Sequence, residues 1–218
     1  MQEYRQNARY LINVTGPWVS DILKDQLGQN SIDAVRLVRG SHLVVKKQCD
    51  NDKAYFLRGK GGRIIFAIPY EHDFTLIGTT DIEHDSVQTK PTCTDEERDY
   101  LLEFANQYFN KPLTKEDIVW RFSGVRSPYQ DGASHSATAT RDYVLKADKS
   151  GAPLLTIFGG KITTYRKLAE NVMNEDTQFF GLDDTPWTAN IVLPDGNFQI
   201  DEFHPLIDCI IKIPLLIL

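Results

Sequence analysis

The segment Phe158-Gly159-Gly160-Lys161-Ile162-Thr163-Thr164-Tyr165-Arg166-Lys167 joins an apolar run to a basic, threonine-rich stretch with helical character. The run from 153 to 158 predicts a buried strand. Glycines at a strand-to-helix turn let the main chain approach a ligand where a Cβ would collide. The first N–H groups of the helix carry partial positive charge, and Lys161 adds a full charge. The turn predicts a site for an anion or a carbonyl edge; an ordinary turn with a solvated lysine has the same local pattern.

Composition places the chain among soluble globular proteins, since 218 residues with 41% hydrophobic and 25% charged residues can bury a real core. The net charge of −6 argues against a nucleic-acid partner. Cys49, Cys93 and Cys209 stand far apart, which argues against a disulfide framework or a metal site and is typical of the cytoplasm. The first residues are polar and do not resemble a signal peptide.

The last stretch, from 205 to 218, is strongly apolar but is interrupted by Asp208, Lys212 and Pro214. It is shorter than the roughly 18 apolar residues that span a bilayer. Three explanations stay open: packing into a core, contact with a membrane surface, or a truncated or shifted reading frame.

Hydrophobic periodicity predicts an α+β fold with a mixed, largely antiparallel sheet. Thr15 is a candidate N-cap for a helix that runs to about Lys24, and Gly40-Ser41 is a candidate bulge. Thr94-Asp95-Glu96-Glu97 is a capping box. The predicted strands are 10–14, 35–46, 54–57, 63–68, 74–77, 118–122, 143–146 and 154–158, and the segment 54–77 is predicted to form an antiparallel meander. One later helix is predicted to start after Thr94 and to carry Tyr100, Leu101, Phe104 and Tyr108 on one face. Another is predicted to start at Arg166.

Four residues at strand ends are candidates for chemistry: His42, Arg126, Arg141 and Lys161. Arginine offers a planar fork that matches phosphate, and lysine adds a point charge, so together they suit a small phosphorylated substrate. Histidine can accept a proton near neutral pH. The alternatives are surface ion pairs for the basic residues and a packed, hydrogen-bonded role for His42.

The turn Gly78-Thr79-Thr80-Asp81 closes a predicted strand with two hydroxyls and a carboxylate. These groups can orient a ligand or brace a neighbouring loop. The remaining histidines, among them His84, lie in polar stretches and are expected to be solvated.

Collinear motifs in this chain resemble the aerobic, FAD-dependent glycerol-3-phosphate dehydrogenases over roughly 8–193. Each motif alone is weak, but their order is specific to the family. The matching stretches are Ile12-Asn13-Val14-Thr15-Gly16-Pro17-Trp18, Arg39-Gly40-Ser41-His42-Leu43-Val44-Val45, Ile65-Phe66-Ala67-Ile68-Pro69-Tyr70, Ile77-Gly78-Thr79-Thr80-Asp81, Asp117-Ile118-Val119-Trp120, Ser123-Gly124-Val125-Arg126, Thr140-Arg141-Asp142-Tyr143 and 158–168.

The resemblance implies a flavoprotein of the D-amino-acid-oxidase-like type. It implies hydride transfer from C2 of sn-glycerol 3-phosphate to N5 of FAD, giving dihydroxyacetone phosphate. Electrons would then pass to a quinone at the inner face of the membrane, where the protein would bind peripherally and form a homodimer. It also implies a partial FAD-binding domain at 1–30, a substrate-binding domain at 31–147, a returning FAD-binding segment at 148–193 and a divergent tail at 194–218.

The resemblance also assigns roles to residues. His42 would accept a proton. The set expected against the flavin ring is Gly159, Gly160, Lys161, Ile162 and Thr163; the set expected to hold substrate is Arg126, Arg141 and Lys161; the set expected beside the dinucleotide is Thr15, Gly16 and Pro17.

Two departures from the family pattern lead to further expectations. The glycine-rich βαβ fingerprint and an active-site arginine of the family's N-terminal part are not found here, so the chain alone is expected neither to hold FAD tightly nor to turn over. Ser127 stands between Arg126 and Pro128, where the family has proline directly after arginine. The other function classes are an oxidase that uses oxygen and an inactive remnant or binding module.

Overall fold

The computed structural model describes residues 5–29, 34–59, 62–130, 142–181, 183, 185–193 and 196–211. They belong to two compact units, Met1–Ile162 and Thr163–Leu218. Arg141 lies outside the described residues, as do residues 212–218 of the apolar end. The strands are β1 Leu11–Asn13, β2 Val38–Lys46, β3 Tyr55–Arg58, β4 Ile64–Tyr70, β5 Phe74–Gly78, β6 Ile82–Glu83, β7 Ile118–Arg126, β8 Val144–Asp148 and β9 Leu154–Phe158.

The described helices are α1 Val19–Asp21, α2 Asp95–Ala105, α3 Tyr165–Phe180 and α4 Phe203–Ile211. Short 3-10 turns precede or connect them at Gly16–Trp18, Lys115–Asp117, Ile162–Thr164, Thr188–Asn190 and Ile200–Glu202, and a π-helical segment follows α1 at Ile22–Gln26. Within the described parts of the chain, no helix is both long enough and apolar enough to cross a bilayer.

A three-stranded sheet forms one part of the first unit, in the order β1-β9-β8. β1 runs parallel to β9, and β8 runs antiparallel to it. All five side chains of β9 are buried, as expected for a central strand covered on both faces. The domain boundary predicted between residues 147 and 148 falls inside β8, which pairs with β9.

A six-stranded antiparallel sheet forms the other part of the first unit. Strands β3, β4 and β5 form the predicted meander, and β5 then pairs with β2. β2 is the central strand, because it also pairs with β6 and along most of its length with β7. The register of β2 against β7 is continuous through Gly40 and Ser41 and shifts between Val44 and Val45, so the predicted bulge position was wrong.

Helix α2 covers one face of the six-stranded sheet. Thr94 caps it with the predicted capping box: its hydroxyl accepts from the Glu97 N–H, and the Glu97 carboxylate accepts from the Thr94 N–H. Alternate residues of β2 point into the core beneath it. The buried cluster is Leu43, Val45, Leu57, Ile65, Ala67, Ile77, Cys93, Leu101, Leu102, Phe104, Ala105 and Leu113.

Tyr100 and Tyr108 were predicted on the buried face of this helix but are exposed, and Tyr108 lies beyond the helix end. Of the four residues predicted on one face, the sheet buries Leu101 and Phe104. The part of the helix surface in contact with the sheet is thus narrower than the sequence pattern predicts.

The second unit contains α3, which is longer than predicted and ends at Gly181, a residue with a φ of 67°. A left-handed glycine at this position is a common helix terminator. Glu170 of α3 is buried and accepts hydrogen bonds from Arg166 and Thr188. These contacts attach the 3-10 turn at Thr188–Asn190 to the helix.

Candidate functional site

Two glycine-containing turns follow neighbouring parallel strands of the small sheet. Thr15, Gly16 and Pro17 come just after β1, and Gly159 and Gly160 come just after β9. Because β1 and β9 are parallel and adjacent, both turns lie at the same edge of the sheet. In α/β sheets ligands bind outside the carboxyl ends of parallel strands. The two predicted cofactor-binding segments therefore start from one edge.

The turn after β9 requires its glycines. Gly159 and Gly160 have φ values of 74° and 97°, a region that other residues enter only with strain. A Cβ on Gly159 would lie 3.1 Å from the Asp142 carbonyl oxygen and 3.4 Å from the Tyr129 nitrogen. Gly160, Lys161, Ile162 and Thr163 are exposed. These four residues of the turn are thus accessible to solvent.

The helix that follows the turn begins one residue before its predicted start at Arg166. After Lys161 the chain makes the 3-10 turn Ile162–Thr164, and α3 starts at Tyr165. Such a turn commonly precedes an α-helix.

The turn after β1 is braced from below by Asn13, which the sequence analysis treated only as part of a strand. Its side chain is buried, donates to the Val19 carbonyl at 3.3 Å and accepts from the Thr15 hydroxyl at 2.7 Å. Thr15 therefore occupies the predicted N-cap position, but its hydroxyl binds Asn13 and does not cap the turn. Gly16 has a φ of 58°, and no described atom lies within 4 Å of the position of a Cβ.

His42 lies in a cross-strand row on the face of the six-stranded sheet opposite α2. Its neighbours in the row are Gly78 on β5 and Phe122 on β7. The imidazole stacks on Phe122, with ring centroids 5.0 Å apart and planes 11° from parallel. A Cβ on Gly78 would lie 2.3 Å from His42 Cδ2, so only glycine leaves room for the ring.

Burial lowers the pKa of His42 below its usual value of about 6.5, so the imidazole is neutral at pH 7. Its Nδ1 atom is buried and has no hydrogen-bond partner among the described residues. Of the alternative of a packed, hydrogen-bonded histidine, the structure therefore contains the packing, whereas Nδ1 has no hydrogen bond among the described residues.

Arg126 ends β7 on the same face as His42, opposite Val38 of β2. Its guanidinium forms an ion pair with Asp81 at 3.0 Å and remains 44% exposed. The row between Arg126 and His42 holds the cross-strand pair Gly40 and Gly124. No described atom lies within 4 Å of a Cβ built on Gly124, whereas the Thr79 side chain lies over Gly40, so among the described residues this row is open on its β7 side.

The chain after Arg126 contacts the turn after β9. Pro128 and Tyr129 lie against Gly159, and the Tyr129 ring packs edge-on against Phe158 at 5.5 Å. The main chain of Pro128 contacts that of Gly159, and Arg126 and Lys161 each lie two residues along the chain from this contact. The structure brings these two segments together, whereas Arg141 lies outside the described residues and its predicted role stays a prediction.

Glu97 is a buried acid that the sequence analysis assigned to the capping box alone. Its carboxylate also accepts from the Ser41 hydroxyl at 2.8 Å and the Thr80 hydroxyl at 2.7 Å, and pairs with Arg39 at 3.0 Å. Burial raises the pKa of Glu97, but the hydrogen bonds from Thr94, Thr80 and Ser41 and the Arg39 charge outweigh it and lower the pKa overall.

Thr80 confirms the bracing alternative for the 78–81 turn, because its hydroxyl also accepts from the Ser41 N–H at 2.9 Å. His84 was predicted to be solvated, but it is buried and its Nε2 lies 3.0 Å from the Thr89 carbonyl oxygen. A loop position does not imply exposure where the loop packs on a sheet edge.

A cavity of about 800 Å³ lies beside α2, and one of its lining residues, Asp81, pairs with Arg126. Asp81, Glu96, Glu97 and Glu103 line it together with Arg63. Glu97 and Asp81 are paired with Arg39 and Arg126, which leaves Glu96 and Glu103 beside Arg63, so the lining carries no excess of positive charge for a phosphorylated substrate.

Comparison with known proteins gives one family and several relatives. Residues 2–166 match the family described as DAO, FAD dependent oxidoreductase. A glycerol-3-phosphate dehydrogenase of Pseudomonas aeruginosa is 43% identical over 195 residues, which cover 88% of this chain and 38% of the relative. A D-erythritol 1-phosphate dehydrogenase of Brucella abortus is 42% identical over 198 residues, which cover 90% of this chain and 39% of that relative.

A solved structure is similar as well. The glycerol-3-phosphate dehydrogenase from Bacillus halodurans, complexed with FAD, superposes with a TM-score of 0.74 at 31% identity and covers 92% of this chain and 38% of that one. The chain thus spans about two fifths of the length of the proteins that it resembles.

Proposed function

Because the chain belongs to the FAD dependent oxidoreductase family, we propose that it acts in the FAD-dependent oxidation of sn-glycerol 3-phosphate to dihydroxyacetone phosphate. The observation that carries this proposal is the shared edge of β1 and β9. There, two positive-φ glycine turns adjoin, and Lys161 follows one of them. The names of the relatives at 41–43% identity support the substrate.

The residues at this edge fit FAD. Gly16 and Gly160 have positive φ, and no described atom lies within 4 Å of a Cβ built on Gly16, as a cofactor approached by backbone N–H groups requires. Thr15, Gly16 and Pro17 would contact the dinucleotide, and the turn from Gly159 through Thr163 would contact the flavin ring. When bound, FAD supplies the acceptor for the hydride that leaves C2 of the substrate.

Positive side chains would hold the phosphate of the substrate. Arg126 is half-exposed and needs only to exchange or share its Asp81 partner, and Lys161 is exposed on the turn. A guanidinium can bind two phosphate oxygens at once, which fixes the orientation of the polyol. Arg141 is assigned to the same task by the family resemblance.

His42 would accept the proton of the C2 hydroxyl. An alcohol becomes a ketone by losing a hydride and a proton, and a neutral imidazole in a partly buried position can take the proton. Its lowered pKa keeps it unprotonated at pH 7. The stacking on Phe122 and the contact with Gly78 hold the ring in one orientation.

The electron acceptor in this proposal is a quinone, reached by peripheral binding of a cytoplasmic homodimer at the inner membrane. The support for it is the family resemblance. Oxygen is the alternative acceptor, and an inactive binding module is the alternative to any turnover. Dye reduction without peroxide distinguishes the quinone-type enzyme from the oxidase, and a binding module shows neither.

D-erythritol 1-phosphate is a second candidate substrate. The Brucella abortus relative, named for that activity, is as similar as the glycerol-3-phosphate dehydrogenases. The open space over Gly124 would accommodate a longer polyol between Arg126 and His42. Substrate assays should therefore compare both phosphates, with glycerol as the unphosphorylated control.

A chimera tests the proposal directly. The matching stretch of the Pseudomonas aeruginosa dehydrogenase is replaced by residues of this chain, and dye reduction is measured with each phosphate. We expect turnover, and we expect Lys161→Met to lower kcat/KM by about 10- to 100-fold, since a charge-assisted hydrogen bond contributes about 1.5–3 kcal/mol. Lys149→Met, on the exposed turn between β8 and β9, is the matched control and should change little. A chimera that folds and binds FAD but oxidises neither phosphate would refute the proposal.

A further inference from the structure

Hydroxyl groups link the Glu97 carboxylate to β2 and, through a second hydroxyl, to β7, the strands that carry His42 and Arg126 on the opposite face of the sheet. Through the Ser41 hydroxyl it holds β2 one residue before His42. Through the Thr80 hydroxyl it holds the turn whose next residue, Asp81, pairs with Arg126. The acid itself sits on α2, on the covered face.

A second link reaches β7. Ser41 and Ser123 place their hydroxyl oxygens 2.7 Å apart. The Ser41 proton points to Glu97, so the Ser123 hydroxyl must be the donor to Ser41. This chain of two hydroxyls ends on the carboxylate and fixes β7 between Phe122 and Gly124.

The geometry points to Glu97 as a positioning residue for His42 and Arg126, acting through Ser41, Ser123 and Thr80. This inference rests on the proposed function only for the roles of His42 and Arg126. The positioning of the strands depends on hydrogen bonds between buried groups. Breaking such a bond costs more free energy than breaking an exposed one, because the buried group is left without a partner.

An amide cannot replace the carboxylate here. One oxygen of Glu97 accepts from two hydroxyls, and the other accepts from the Thr94 N–H and pairs with Arg39. A glutamine NH₂ placed toward the N–H groups would set donor against donor, so it must face Ser41 and Thr80. Both hydroxyls must then turn their protons away from residue 97, and the Ser41 oxygen accepts from the amide instead of donating to a carboxylate, so the direction of the hydrogen bond between Ser41 and Ser123 is no longer fixed.

The capping role of Glu97 can be separated from the positioning role. Thr94→Ala removes the N-cap hydroxyl but leaves the bonds of Glu97 to Ser41 and Thr80. Asp117→Asn changes the acid of a second capping box, at Thr114, whose carboxylate bonds only to Thr114 among the pairs described. These two variants are the matched controls for Glu97→Gln.

The experiment is NMR spectroscopy of the whole chain, in which the His42 and Phe122 ring signals and the Gly124 amide report on the open face. Glu97→Gln should shift all three and weaken the cross-peaks between the stacked rings. Thr94→Ala should lower the melting temperature yet leave these signals in place, and so should Asp117→Asn. Unmoved signals in Glu97→Gln, or equal shifts in Thr94→Ala, would overturn the inference.

Should Glu97→Gln fail to fold, Ser41→Ala serves as the second variant. It keeps the bonds of Glu97 to Thr80 and Arg39 and removes the Ser41 hydroxyl, through which Glu97 is linked to β2 and, by way of Ser123, to β7, so the Phe122 and Gly124 signals should shift. If they stay in place, the positioning role is excluded. None of these NMR signals depends on turnover. If the chimera is inactive but the signals shift as expected, the catalytic roles of His42 and Arg126 are rejected and the positioning role of Glu97 is retained.

Discussion

The two faces of the six-stranded sheet carry different kinds of side chain, although the same strands supply both. On the face under α2, Leu43 and Ile77 are fully buried. On the other face Phe56, Phe66 and Trp120 are 59%, 41% and 54% exposed. Because side chains alternate along a strand, neighbours such as Ser41 and His42 serve opposite faces. The covered face supplies stability, and the open face presents the candidate chemistry.

The largest expected difference between the faces is in packing. Phe104→Ala should cost about 3–5 kcal/mol in the free energy of unfolding, because this ring lies in the core under the sheet. Phe66→Ala, the matched change on the open face, should cost about 1–2 kcal/mol because its ring is already partly in water. Urea denaturation of both variants measures the comparison, and equal losses would contradict it.

The next effect concerns charge. Arg39→Met leaves the Glu97 carboxylate buried without its cation and should cost about 3 kcal/mol. Arg121→Met removes one of the two arginines that pair with Asp95, a carboxylate that is 64% exposed, and should cost under about 1 kcal/mol. Chemical denaturation at pH 7 gives both values. If Arg121 costs as much as Arg39, burial does not set the strength of these pairs.

Two facing glycines sharpen the comparison within one row. A Cβ on Gly40 would lie 2.4 Å from the Thr79 hydroxyl oxygen, so Gly40→Ala should destabilise by about 1–2 kcal/mol. Gly124→Ala meets open space and should be neutral or stabilise by up to about 1 kcal/mol, since glycine is unfavourable within a strand. Melting temperatures of the two variants measure the difference. A lower melting temperature for Gly124→Ala would mean that the space over Gly124 is already filled.

The smallest effect is expected in the pH dependence of stability. The pKa of Glu97 is lowered in the folded state, so its ionisation stabilises the fold fully above the unfolded value of about 4.3. That contribution is lost as pH falls through the lower folded pKa. Denaturation of the wild type between pH 7 and pH 3 should therefore show a steeper loss than Glu97→Gln, and parallel curves would show that the ionised form is not favoured by folding.

Local signals predicted much of this molecule. The capping box from Thr94 to Glu97, the meander and the turn at Gly159 and Gly160 each depend on residues a few positions apart, and the structure contains all three. The α+β class followed from the same patterns. The family match agrees with the resemblance carried by the ordered motifs.

The errors arose where distant contacts override a local pattern. Thr15 has the chemistry of an N-cap, but buried Asn13 competes successfully for its hydroxyl. The tyrosines around α2 have helical spacing, yet only the stripe that meets the sheet is covered. Gly40 was read as a bulge, whereas a close approach of Thr79 accounts for it.

A capping box can be recognised in a linear chain, because its two partners lie three residues apart and need no other part of the protein. The second task of Glu97 cannot, since its hydrogen bond with Ser41 joins positions 56 residues apart and the Ser41–Ser123 contact joins positions 82 apart. Such contacts form only when strand register and helix packing place the hydroxyls within reach of the carboxylate. Tertiary packing therefore decided which acid braces the open face, while short-range chemistry had already settled where its helix begins.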